Sequence, residues 1–181
     1  MNAVARVERI TPDWWETLRD VRLAALRDAP YAFSTRYEDM AEKGDDYWRE
    51  MAARWTRYPD GCTFLAFAPG GGGDTVGMAG GYRNPREEGI AYLVAMWVAP
   101  GWRGSGAADL LVEAVSGWAA ALPVGRLGAW VTGGNDRALR FYGRLGFVRE
   151  PDASRPHAPD PSLCEILMVR RLLPPSTLPD S

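Results

Sequence analysis

The chain has 181 residues, 46% of them apolar and 24% charged, with a formal net charge of −2. That length supports one α/β domain with a continuous core, and the composition is that of a globular protein. A charge so close to neutral suggests neither nucleic acid nor an anionic membrane surface as a partner. The opening MNAVARVERITPDWW has no apolar signal core, and no run approaches membrane-spanning length, so the expected location is cytoplasmic. Residues 1–173 are expected to form the domain, and 174–181 (PPSTLPDS) a disordered tail. Cys62 and Cys164 lie far apart in apolar, strand-like settings, where two buried free thiols are expected and not a disulfide.

In chain order, Val4 to Ile10 alternates as a first strand. Thr11-Pro12-Asp13 then opens a helix, with Thr11 able to cap it and Pro12 suited to its first turn. Trp14, Leu18, Val21, Leu23 and Leu26 supply its apolar face, up to Asp28-Ala29-Pro30. A loop from Tyr31 to Glu38 leads to a second helix, roughly Asp45 to Arg57, with Trp48, Met51 and Trp55 on one face. Cys62–Phe67 and Thr75–Tyr82 read as strands joined by Pro69–Asp74, whose four consecutive glycines are a linker because no helix follows them. Asn84 to Gly89 is a polar turn.

Tyr92 to Val98 has strand length and strand residues, and Pro100 and Gly101 break it. From Ala107 on, Leu110, Leu111, Val115 and Trp118 recur at helical spacing. Pro123 ends that helix, and Leu127 to Thr132 is a short strand. Asn135 or Asp136 can cap a further helix, on which Leu139, Tyr142 and Leu145 share a face. Gly146 is placed for a left-handed C-terminal residue, with Phe147 as the apolar contact after it. Phe147 to Glu150 begins another strand. Pro151 to Pro161 reads as an exposed loop holding the sole histidine, His157, and Cys164 to Leu173 as the last strand.

The segment Arg103-Gly104-Ser105-Gly106-Ala107-Ala108 therefore sits where a strand ends and a helix begins. A helix N-terminus carries unpartnered N–H groups and partial positive charge, and small residues let an anion approach them. With Arg103 beside it, the segment reads as a pyrophosphate cradle. A P-loop needs Gly-Lys-Ser/Thr, and no lysine is present here. A dinucleotide fingerprint needs a third glycine where Asp109 stands.

The pattern Arg-x-x-Gly-x-Ala, from Arg103 through Gly106 to Ala108, after Met96-Trp97-Val98-Ala99-Pro100, instead resembles the acyl-coenzyme A motif of the Gcn5-related N-acetyltransferases, the GNAT superfamily. Asn135 to Phe147 resembles that family's second motif, N-x-x-A-x-x-F-Y-x-x-L-G-F, with every fixed position filled. The phrase from Arg22 to Phe33 is similar to the opening of many bacterial members. The resemblance implies an α/β fold with a mixed, mainly antiparallel sheet of six to seven strands, flanked by about four helices and splayed between strands 4 and 5.

It also implies acetyl-coenzyme A as cosubstrate, with no metal. The pantetheine arm would pair with Met96, Trp97 and Val98. The pyrophosphate would rest on Arg103, Gly104, Ser105, Gly106, Ala107 and Ala108, and Asn135 and the helix it opens, with Ala138 and Tyr142, would hold the other side of the arm. Tyr142 would be the general acid, and the Val98 N–H would polarise the thioester carbonyl. Phe33, Ser34 and Tyr37, in the loop that walls the acceptor pocket in the family, and Glu88 are candidate substrate contacts. Residues 90–98 contain no acid, which leaves Glu87, Glu88 and Glu165 as candidate bases acting through water, or no dedicated base.

The expected partner is a small-molecule amine, and a homodimer stays open. Three other readings also stay open: transfer to a protein or peptide amine, a non-catalytic acyl-coenzyme A sensor on the same fold, and a nucleotide-binding α/β protein using the same turn.

Overall fold

The computed structural model describes residues 6–70, 73–158 and 160–173. Residues 4 and 5 of the expected first strand, part of the glycine run, the side chain of Trp55 and the tail from 174 lie outside the described residues.

The elements run β1 (Arg6–Arg9), α1 (Trp15–Asp28), α2 (Tyr37–Ala41), α3 (Asp45–Arg57), β2 (Gly61–Phe67), β3 (Thr75–Tyr82), β4 (Gly89–Val98), α4 (Ala107–Ala120), β5 (Val124–Thr132), α5 (Asp136–Arg144), β6 (Val148–Pro156) and β7 (Cys164–Arg171). Single turns of 3₁₀ helix at Pro12–Trp14, Pro30–Ala32 and Pro100–Trp102 each begin with a proline, whose fixed φ suits a first helical position. Thr11 precedes the first of these without a side-chain capping bond. No helix among the described residues is long and apolar enough to cross a membrane.

The seven strands form one sheet in the order β1-β2-β3-β4-β5-β7-β6. Each neighbouring pair is antiparallel except β4–β5, which is parallel. This is the mixed, mainly antiparallel sheet the family resemblance implies.

Strand alternation sends side chains to two faces, and helices cover both. On one face Leu111, Val112 and Val115 of α4 and Tyr142 of α5 pack with Ala91, Leu93, Leu127 and Ala129. On the other, Leu18, Val21 and Leu26 of α1 and Trp48 of α3 pack with Leu65, Phe67, Met78 and Trp97. Helix α4 lies close on β3 because β3 is glycine-rich: a Cβ at Gly81 would stand 2.6 Å from the Trp118 ring. A third apolar cluster, of Ile90, Tyr92, Leu167 and Val169, lies between β4 and β7.

The relation of β4 to β5 shapes the site. Their pairing runs from Gly89–Val124 to Leu93–Ala129 and stops there, although β4 continues to Val98 and β5 to Thr132. At the same point β4 carries a bulge against β3. Met78 faces Trp97 while Gly80 faces Val94, so β4 holds one extra residue, and Ala95 takes a positive φ of 52°. A bulge bends its strand, and here it accompanies the opening of the sheet.

Four sequence expectations are corrected. Strand β6 reaches Pro156, which pairs with Cys164, so the first half of the expected loop is strand. That pairing carries His157 inward. It is 2% exposed, donates its N–H to Leu163 O at 2.8 Å and sets Nδ1 3.2 Å from Glu165 Oε1. Cys164 begins β7 at the sheet's end and is exposed, whereas Cys62 is buried. Leu110 is exposed, because the face of α4 turned to the sheet is Ala107, Leu111, Val112, Val115, Ser116 and Ala119.

Candidate active site

Where β5 parts from β4, a cleft of about 670 Å³ opens. Strand β4 from Leu93 to Val98 forms one wall. Trp130 to Thr132 of β5, with Asn135, Ala138 and Tyr142 around α5, form the other, and residues 103–106 close one end.

The closing turn is built on two glycines in the left-handed region, Gly104 at φ +82° and Gly106 at +91°. They set the amides in alternation. The N–H of Arg103 donates to Pro100 O, that of Ser105 to Trp102 O and that of Ala107 to Ser105 Oγ, at 3.3, 3.2 and 3.3 Å. The N–H groups of Gly104, Gly106 and Ala108 have no acceptor among the described residues. These donors, together with the Asp109 N–H, which also has no acceptor among the described residues, stand at the start of a 14-residue helix and fit an anion, by hydrogen bonding and by the helix dipole together.

The Arg103 side chain is committed elsewhere. Its Nε donates to Val98 O at 3.1 Å, and its terminal nitrogen pairs with Asp28 at the end of α1. The Trp97 indole donates to the same Asp28 oxygen at 2.8 Å. Arg103 thus braces the turn against β4 and α1. Asp109, in the first turn of α4, is held bidentately by Arg144 of α5 at 2.7 and 2.9 Å.

On β4 the ladder fixes what faces the cleft. Ala99 N–H donates back to Val76 O, and peptide groups alternate sides along an antiparallel strand. Val98, paired with Gly77, therefore turns its N–H and C=O away from β3, toward the opening.

On α5, Asn135 Oδ1 accepts from Ala138 N–H at 3.1 Å and caps the helix. Gly146, beyond its C-terminus, has φ +83°. Tyr142 is 8% exposed, its ring between those of Phe141 and Phe147 with centroids 5.1 and 5.3 Å away. Burial pushes its phenol well above the ordinary tyrosine range. Its hydroxyl makes no hydrogen bond among the described residues. Tyr142 is therefore a neutral O–H, with its proton held, lining the cleft.

The cleft thus brings together Met96, Trp97, Val98, Arg103 to Gly106, Ala108, Asn135, Ala138 and Tyr142, while Ala107 beside them is buried against the sheet. The four candidate acceptor contacts lie elsewhere. Phe33 is buried beneath the Arg22 guanidinium, 4.7 Å from its ring centroid. Ser34 is exposed off the cleft. The Tyr37 hydroxyl is engaged by Arg27. Glu88 lines a separate pocket with Arg83, Asn84 and Pro123, at the opposite end of β4.

Ala29, Tyr31 and Ala32 line the cleft instead, and Tyr31 O accepts from the Thr132 hydroxyl at 3.3 Å. Sequence reasoning also passed over Trp130. The available signal was its place near the end of the strand that follows the cradle helix.

The remaining candidate bases are both occupied. Glu87 accepts from Tyr92 and Asn84, at 2.5 and 2.7 Å, and these bonds hold its carboxyl below the usual range. Glu165 accepts from Arg155 at 2.5 Å and lies against His157.

A sheet opened beside free helix-terminal amides, with a protonated phenol in the gap, is the architecture of an acyl-coenzyme A-dependent N-acyltransferase. Residues 18–147 match the model of the acetyltransferase (GNAT) family, and the chain belongs to that family. Membership implies an acyl-coenzyme A cosubstrate. No curated protein matches the sequence.

Among solved structures, the chain is similar to the acetyltransferase of the GNAT family from Streptococcus pneumoniae, with 20% identity over 93% of this chain and 99% of that one and a TM-score of 0.74. It is similar to a spermidine N-acetyltransferase SpeG chimera from Vibrio cholerae and hSSAT, with 13% identity over 93% and 96% and a TM-score of 0.66. It is also similar to NAA60 from Arabidopsis thaliana, solved with a bisubstrate analogue, with 17% identity over 92% and 97% and a TM-score of 0.63.

Proposed function

We propose that the protein moves an acetyl group from acetyl-coenzyme A directly to a primary amine of a small molecule. One observation carries the reading. The outward-turned amide of Val98, the free amides of Gly104, Gly106 and Ala108, and the neutral phenol of Tyr142 share a single cleft.

The residues fit the cosubstrate by their chemistry. The three free amides would hold its diphosphate, and the unpaired edge of β4 would hold the amide-bearing arm as a sheet holds an added strand. When bound, the cosubstrate supplies a thioester. The Val98 N–H would donate to the thioester carbonyl oxygen and favour charge developing there. A C–N bond forms as the C–S bond breaks, the amine loses a proton, and the departing sulfur gains one. Tyr142 O–H, protonated at neutral pH like any tyrosine and lining the same cleft, is the donor for that sulfur.

No carboxylate lines this stretch of the cleft; Asp109, at the far end, is tied to Arg144. The amine is then activated by desolvation and alignment, without a dedicated base. Free thiol release from acetyl-coenzyme A with a panel of amines tests the reading. Amine-dependent release, lost in Tyr142→Phe, is expected. Stabilisation by NAD or ATP in place of acetyl-coenzyme A would overturn it.

A further inference from the structure

The charges in the cleft are segregated. Arg103, Asp109, Arg137 and Arg144 all belong to the turn, α4 or α5. The rest of the lining carries no charge. Where the cleft meets the connection from α1 to α2, its wall consists of Tyr31, Ala32, Val94, Trp130 and Thr132. Tyr31 is 58% and Val94 37% exposed, so both present apolar surface to an incoming molecule.

Two carboxylates adjoining this wall, Asp28 before Ala29 and Glu165 opposite Thr132, are spent within the protein. Asp28 serves Trp97 and Arg103. Glu165, the register partner of Thr132, serves Arg155, whose guanidinium also lies 4.3 Å from the Trp130 ring centroid. A polycation entering here would leave several ammonium groups desolvated with no anionic partner, which is unfavourable for each one. Aromatic and aliphatic surface, in contrast, gains from an apolar body, and a ring face tolerates one cationic nitrogen.

We infer that the acceptor carries its reacting nitrogen on an apolar or aromatic body with a single positive charge, and that polyamines and aminoglycosides are poor acceptors. The inference rests on the acetyltransferase reading above and narrows its substrate class.

The test measures thiol release by the full chain with acetyl-coenzyme A and 2-phenylethylamine, spermidine or kanamycin. The expected kcat/KM for 2-phenylethylamine exceeds the other two by about tenfold or more. Tyr31→Ala, at an exposed side chain, should raise KM for 2-phenylethylamine about fivefold and leave KM for acetyl-coenzyme A unchanged. Val94→Asp places a carboxylate on the wall and should move the ratio toward spermidine by about tenfold.

A preference for spermidine or kanamycin, or a ratio that neither variant moves, overturns the inference and leaves the acetyltransferase reading standing. Release with none of the three amines, while acetyl-coenzyme A still raises the melting temperature, also overturns it. No release and no stabilisation by acetyl-coenzyme A overturns the underlying reading as well.

Discussion

The indole of Trp97 donates to Asp28 at 2.8 Å, tying the last turn of α1 to the end of β4. Because Arg103 pairs with the same carboxylate, one side chain holds the strand edge, the anion-binding turn and the start of the connection that walls the cleft. Asp28→Ala should free the turn and raise KM for acetyl-coenzyme A by about three- to tenfold, the loss expected for two partly exposed hydrogen bonds to a charged group. Asp28→Asn keeps an oxygen acceptor and should recover part of the loss. Steady-state kinetics decide. An unchanged KM in Asp28→Ala would show that the tie does not hold the cradle.

A methyl group at Gly106 would meet open space, yet the residue sits at φ +91°, so a side chain there is opposed by backbone conformation and not by a clash. Gly106→Ala should cost about 1–2 kcal/mol of stability, a fall in Tm of about 2–8 °C for a chain of this size, and weaken acetyl-coenzyme A binding. Gly117 is a control: exposed in the last turn of α4 with no neighbour in the way, it should gain up to about 1 kcal/mol on replacement by alanine. Thermal melts of both variants check the pair, and equal shifts would contradict the account.

Tyr142→Phe removes a hydroxyl that bonds to nothing else among the described residues, so the fold should survive while kcat falls about 10²-fold or more. The pH dependence follows from the direction of the shift. The folded phenol holds its proton above the ordinary value of 10.0. Above about pH 10 the unfolded chain releases a proton that the folded chain keeps, so stability falls as pH rises there and is unaffected below it. Wild type should therefore lose stability more steeply than Tyr142→Phe between about pH 10 and 11.5, in denaturant melts at stepped pH. Parallel curves would show that residue 142 does not bury an ionisable phenol.

The two thiols should separate chemically. Burial pushes the Cys62 thiol up to about 12, against smaller opposing effects of Arg9 and the Gly81 backbone, while Cys164 is exposed. At pH 8 the thiolate fraction at Cys62 is then about one in 10⁴. A thiol reagent should modify one cysteine rapidly in the folded protein, and none in Cys164→Ser. Two fast equivalents would contradict the burial of Cys62.

What the sequence made legible, and what it did not, follows from the range of the interactions. Gly104, Gly106, Asn135 and Gly146 act through their own backbone neighbourhood, and the turn and the cap lie where local chemistry puts them. The strand limits Thr75 and Tyr82 were readable for the same reason. His157 was not, because its burial depends on β6 pairing with β7 across Pro156 and Cys164. Leu110 misled because periodicity alone does not say which side of α4 meets the sheet, and the side that does includes small Ala107 and Ala119. Tyr31 faces the cleft while Phe33 is buried because a 3₁₀ turn at Pro30–Ala32 rotates the chain between them, a local geometry that residue types alone do not specify.

The central claim is that the amides of the turn before α4 receive the diphosphate of coenzyme A. Backbone amide shifts of the ¹⁵N-labelled protein, recorded while coenzyme A is added, test it most directly. The largest changes are expected at Gly104, Gly106 and Ala108, with Val98 moving as the strand edge is engaged. Changes confined to the pocket around Arg83 to Gly89, or none at the three turn amides at saturation, would contradict it.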